Sequence, residues 1–142
     1  MEQQSTKAGR PAFGCLIADD SAFARKNIAN VVTQLGGTIV GEATNGNEAV
    51  ELYFKLRPDL MLLDITMPLQ DGVDTLQKII EGDREAKVIM VSSIGHKEMI
   101  WRALCIGAKH FITKPYNAEY AGSIITSILD GKSEAPVCDM NI

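Results

Sequence analysis

Short apolar runs recur along the chain at CLIA (15–18), TIVGEA (38–43), DLMLLD (59–64), KVIMVS (87–92) and HFIT (110–113). Each is four to six residues long and rich in aliphatic side chains, the length and content of a strand rather than a helix. Between them the apolar positions change period. Ile28, Val31, Val32 and Leu35 stand at i, i+3, i+4 and i+7, as do Ala121, Ile124, Ile125 and Ile128. Ala49, Tyr53 and Leu56, then Val73, Leu76, Ile79 and Ile80, then Met99, Ile100, Ala103 and Leu104 follow the same helical rhythm. Start and stop residues agree: Ser21 can cap the first helix, Asn45 or Asn47 the second, while Gly36-Gly37, Arg57-Pro58, Gly82, Gly107 and Gly131 end the five in turn.

The resulting order is (βα)5. Strand–helix alternation implies parallel strands, right-handed crossovers and helices on both faces. Runs that are apolar throughout, rather than at every second position, point to a sheet buried on both sides. In such sheets the ligand site lies beyond the carboxyl ends of the strands.

Length and composition narrow the function. At 142 residues the chain fits one domain, taken as 14–130, with a polar tail at 1–13 and a flexible tail at 131–142. No run reaches membrane-spanning length and no secretory signal opens the chain, so a cytoplasmic protein is expected. A net charge of −4 argues against a nucleic-acid surface. Cys15, Cys105 and Cys138 stand far apart without a CxxC pair, so reduced thiols are expected rather than zinc or a disulfide framework.

The residues just after the strands carry the chemistry. Asp19 and Asp20 follow the first, Asp64 the third, Ser92 and Ser93 the fourth, Lys114 and Pro115 the fifth. Taken singly, each has an ordinary reading: Asp20-Ser21 as a turn or cap, Ser92-Ser93 as a cap, Lys114 as a surface charge. On one rim of a parallel sheet they instead form a set. Close carboxylates resist shared ionisation unless a cation stands among them, and oxygen ligands suit Mg²⁺, with Mn²⁺ as its substitute. Such a rim fits phosphoryl transfer, with Asp64 as nucleophile, Asp19 and Asp20 on the metal, Ser92 donating to the phosphoryl group and Lys114 neutralising it. The turn after the first strand, ADDSAFAR, lacks the glycines of a dinucleotide site, and no GK[ST] run exists for a P-loop.

CLIADDSAFAR, GEATNGNEAVELY, PDLMLLDITMPLQDG, KVIMVSS and GAKHFITKP, in that order, resemble the receiver domains of two-component response regulators, most closely the single-domain chemotaxis (CheY) type. The resemblance spans about residues 14–130. It implies a flavodoxin-like strand order 2-1-3-4-5 and phosphorylation of Asp64. It further implies metal ligation by Asp19, Asp20, Asp64 and the carbonyl of Thr66, a cis Pro115 that aims Lys114 into the rim, and an aromatic switch at Phe111. It implies a sensor histidine kinase as donor, a monomeric switch that catalyses its own phosphorylation and dephosphorylation, and an output face around Ile94, Trp101, Phe111 and Tyr116. A flagellar-motor switch component would read that face, and a phosphatase could reset it. The alternative is a phosphate sink or relay with no output partner. An aspartyl phosphatase would need a second acid two residues after the nucleophile, where this chain has Thr66.

Overall fold

The computed structural model describes residues 12–67, 71–93 and 95–131. Most of both tails, Cys138, Pro68 and Ile94 lie outside them. The element order is β1 (Phe13–Ala18), α1 (Ala22–Gln34), β2 (Gly37–Ala43), α2 (Gly46–Leu56), β3 (Leu60–Asp64), α3 (Gly72–Gly82), β4 (Val88–Ser93), α4 (Lys97–Ile106), β5 (His110–Lys114) and α5 (Ala118–Leu129). The strands form one parallel sheet in the order β2-β1-β3-β4-β5, which places β3 at its centre. β1 starts two residues before its expected boundary, because Phe13 is buried and pairs with Gly37.

Strand parity divides the core into two layers. Cys15, Ile17, Leu60, Leu62, Ile89, Val91 and Ile112 pack with Ile28, Val32, Ile124 and Ile125 of α1 and α5. Their chain neighbours Leu16, Met61, Leu63, Val88 and Met90 pack with Ala49, Leu76, Ile79, Ile100 and Leu104 of α2, α3 and α4. β3 is buried at every position, as expected for a strand covered on both faces. β2 departs from that expectation. Thr38, Val40 and Glu42 are exposed while the alternate residues turn inward, because this strand lies at the edge of the sheet and pairs with β1 alone.

Local signals end and begin the helices as read from the chain. Ser21 accepts from the Ala24 amide at 3.1 Å, and Asn45, rather than Asn47, caps α2 by accepting from the Glu48 amide at 2.8 Å. Asn45→Ala should therefore cost about 1 kcal/mol of stability in urea unfolding and Asn47→Ala almost none. Equal losses from the two would refute the assignment. Arg57 ends α2 in the left-handed region with φ 47°, just before Pro58. Cys15 keeps a free, buried thiol. Among the described residues, no helix is long and apolar enough to cross a membrane.

Candidate functional site

Two strand ends bring the three acids together. β1 delivers Asp19, held by its own amide donating to the Ala43 carbonyl at 3.0 Å. β3 delivers Asp64, paired in register with Val91 of β4. One carboxylate oxygen from each of Asp19, Asp20 and Asp64 lies within 4.8 Å of the others. Asp19 and Asp64 are 6% and 7% exposed, whereas Asp20 faces solvent.

This crowding is electrostatically uphill. Burial, then the neighbouring charge of Asp19, pushes the Asp64 carboxyl up to about 6, against the pull of Lys114 and the Thr66 amide, with Asp20 adding to the rise. Two nearby anions cannot both ionise cheaply in a partly dry site. Asp19 is the better compensated of the two. Its carboxylate accepts from Lys114 Nζ at 3.1 Å and from the Ser21 amide at 2.9 Å. Among the described residues, Asp64 accepts only from the Thr66 amide, at 3.5 Å, at the long limit of a hydrogen bond. The donor set is all oxygen, open on the Asp20 side, and under-compensated at Asp64, which is what a hard divalent cation fits.

The other expected residues fall as follows. Lys114 reaches the rim from the end of β5 and is joined to Pro115 by a cis peptide bond. Its partner is Asp19 rather than Asp64. Ser92 is fully buried at the same end of β4, with its hydroxyl turned to the Ser93 carbonyl and His96. Thr66 is exposed just past β3. Phe111 and Trp101 are half-buried and share a cleft of about 380 Å³ between α4 and β5 with Ile100 and Leu104.

Tyr116 does not join them. It packs against the α1 and α5 layer, beside Lys114, Pro115 and exposed Phe23. Of the residues expected at an output face, Trp101 and Phe111 thus share the cleft, Tyr116 lies on the other side of β5, and Ile94 is outside the described residues. Parity gives the reason: Ile112 faces the α1 and α5 layer, Phe111 the opposite one, and the chain past Lys114 stays on the Ile112 side.

Two contributors went unassigned in the sequence. Arg25 donates from Nη1 to the Asp19 carbonyl at 2.6 Å and from Nε to Glu42 at 2.6 Å, tying β1, α1 and β2 below the acids. Its place one turn after the Ser21 cap was the available signal. His96 touches Ser92, a contact made across a loop and without periodic signature.

A family model described as the response regulator receiver domain matches residues 15–125. The chain is 46% identical over 101 residues to the chemotaxis protein CheY of Thermotoga maritima, covering 71% of this chain and 84% of that protein. It is 42% identical over 119 residues to CheY of Bacillus subtilis, covering 84% and 99%. Among solved structures it resembles the CheX–CheY–BeF₃–Mg²⁺ complex from Borrelia burgdorferi, with a TM-score of 0.78 and 38% identity, covering 82% of this chain and 88% of that one.

Proposed function

This chain belongs to the response regulator receiver domain family of two-component systems, and from that premise we propose that it is a phospho-acceptor switch for chemotaxis or motility. The observation that carries the reading is Asp64 itself, a buried carboxylate at the end of the central strand with two acids and a lysine around it and, among the described residues, only a long bond from the Thr66 amide. Similarity to CheY proteins across most of their length supports the chemotactic role.

In the proposed reaction an Asp64 oxygen attacks the phosphorus of a kinase phosphohistidine. A P–O bond forms, the P–N bond breaks, and the imidazole leaves. Asp19, Asp20, Asp64 and the carbonyl of Thr66 would hold Mg²⁺, or Mn²⁺ in its place, which supplies positive charge against the phosphoryl oxygens. The Borrelia relative was solved with BeF₃ and Mg²⁺, which supports that choice. Ser92 donates to a phosphoryl oxygen, and Lys114, now shared with Asp19, pairs with the added charge.

The new acceptors on Asp64 bias the β4–α4 region, and Phe111 turns inward, so the cleft it shares with Trp101 changes shape. An output protein such as a flagellar-motor switch component reads that cleft, and a phosphatase resets the site. The largely apolar cleft favours an output partner over a mere phosphate sink. The protein works in the cytoplasm, where the kinase's phosphohistidine lies. It is a signalling switch, not a metabolic enzyme.

Acetyl phosphate with Mg²⁺ tests the chemistry. Mass spectrometry should show one added phosphoryl group on the protein and none on Asp64→Asn. Equal labelling of both would overturn the assignment.

A further inference from the structure

Ser92 is fully buried, and its hydroxyl makes two short contacts, neither of them with Asp64. Oγ lies 3.0 Å from the Ser93 carbonyl and 2.9 Å from Nδ1 of His96. A serine hydroxyl has one proton to give and lone pairs to accept with. When that proton goes to the Ser93 carbonyl, Nδ1–H of His96 donates to Oγ. When it goes to Nδ1, the imidazole accepts it. In both arrangements the proton that a phosphoryl oxygen would need is engaged elsewhere.

His96 is placed to do this and little else at the head of its helix. It is the N-cap of α4, and its carbonyl accepts from the Ile100 amide at 2.9 Å. Its side chain makes no capping bond. Instead, His96 reaches Ser92 while also lining the cleft that holds Ile100, Trp101 and Phe111. One residue therefore touches the buried hydroxyl, the first turn of α4 and the cleft wall.

We propose that His96 is a positioning residue of the switch, holding the Ser92 hydroxyl in its resting rotamer and releasing it when Ser92 turns toward a phosphoryl group on Asp64. This rests on the reading of Asp64 as acceptor and Ser92 as its donor. The relative strengths favour a reversible latch. A hydrogen bond to a phosphoryl anion is roughly twice as strong as the neutral pair it replaces, so phosphorylation wins, while without it the neutral pair persists. Release frees the imidazole at the head of α4, and the change at Asp64 reaches the cleft through that residue.

The test is the rate of phosphorylation by acetyl phosphate with Mg²⁺ in His96→Ala, His96→Asn, Ser92→Ala and the Ser92→Ala/His96→Ala double variant. His96→Ala should label about three- to tenfold faster than the parent, the value of one neutral hydrogen bond removed from the resting state. His96→Asn, whose carboxamide can bond Ser92 again, should return toward the parent rate. In the Ser92→Ala background, removing His96 should change nothing, because the group it acts through is gone. In the unsubstituted protein the ¹⁵N resonance of His96 Nδ1 should move when beryllofluoride and Mg²⁺ are added. An unchanged or slower His96→Ala, or the same acceleration with Ser92 absent, would overturn the inference, as would a Nδ1 resonance that stays put. If the parent protein itself takes no phosphoryl group on Asp64, the underlying reading falls and this inference with it. Normal parent labelling with an unaltered His96→Ala removes the inference alone.

Discussion

Asp64→Asn is expected to unfold at a higher temperature than the parent protein at pH 7, although it removes the proposed nucleophile. The aspartate titrates near 6 in the folded protein because burial and Asp19 oppose its charge, and near its ordinary value of about 4 when unfolded. A folded value above the unfolded one means that the native state holds the proton more tightly. The stability this contributes is fully present below about pH 4 and is lost as pH rises through about 6. At pH 7 the fold therefore carries an ionised carboxylate it would hold more easily neutral. Asparagine keeps the shape and omits the charge. The gain should be about 1–2 kcal/mol, with the solvent that reaches the open rim reducing it, or about 3–8 °C in Tm. The advantage should shrink below pH 6 and vanish near pH 4. Adding Mg²⁺ should narrow it at pH 7, because a cation that binds the native acids stabilises the parent by mass action. A variant less stable than the parent at pH 7, or a difference that ignores pH, would show that Asp64 is not held at electrostatic cost.

Gly72→Ala should be among the most damaging single-methyl additions to the chain. Gly72 opens α3 directly behind Asp64, its amide donating to the Ile65 carbonyl at 2.6 Å. A Cβ built there would lie 2.7 Å from Ile65 Cα and closer still to the Asp64 carbonyl oxygen. Those are backbone atoms of the central strand and cannot rotate aside as a side-chain tip could. A loss of about 2–4 kcal/mol in urea unfolding is expected. Because the displaced backbone is that of Asp64 itself, acetyl phosphate labelling should slow on the order of 10- to 100-fold. Gly122→Ala is the control, since its added carbon meets only side-chain atoms at 3.8 Å or beyond. Equal tolerance at both positions would mean that the α3 start can shift without disturbing the site.

These two residues also mark how much of the molecule could be read from its sequence. The strands were legible because a buried central strand must be apolar at every position, and Leu60 to Leu63 are. The acids were legible because parallel strands all finish on one rim, so Asp19, Asp20 and Asp64 had to approach once the order (βα)5 was established. As sequence, Asp71-Gly72 is no more than a turn-type dipeptide. That Asp71 caps α3 by accepting from the Asp74 amide at 2.9 Å, and that no side chain fits behind Asp64, depends on how closely α3 approaches β3.

Three other features were hidden for related reasons. The contact between Ser92 and His96 crosses a loop, where i and i+4 carry no helical meaning. Tyr116 follows the turn after β5, so nothing periodic told which face it would join. The half-exposed β2 looked like its neighbours in composition, because an edge strand differs from a central one in what covers it rather than in what it contains.

The division of the core by strand parity has a consequence for how this chain can change. Ser92 shares the parity of Val88 and Met90, on the α4 side, while Ile89 and Val91 serve the α1 and α5 side. One stretch of six residues thus writes two interleaved texts, one spelling the layer that meets the Trp101–Phe111 cleft and the other the layer that packs on α1 and α5. Either text can be edited letter by letter without touching the other. Losing a single letter from β4 would transpose both at once, sending each residue to the compartment its neighbour was shaped for. Drift in side-chain volume is therefore open to this strand, and drift in length is not.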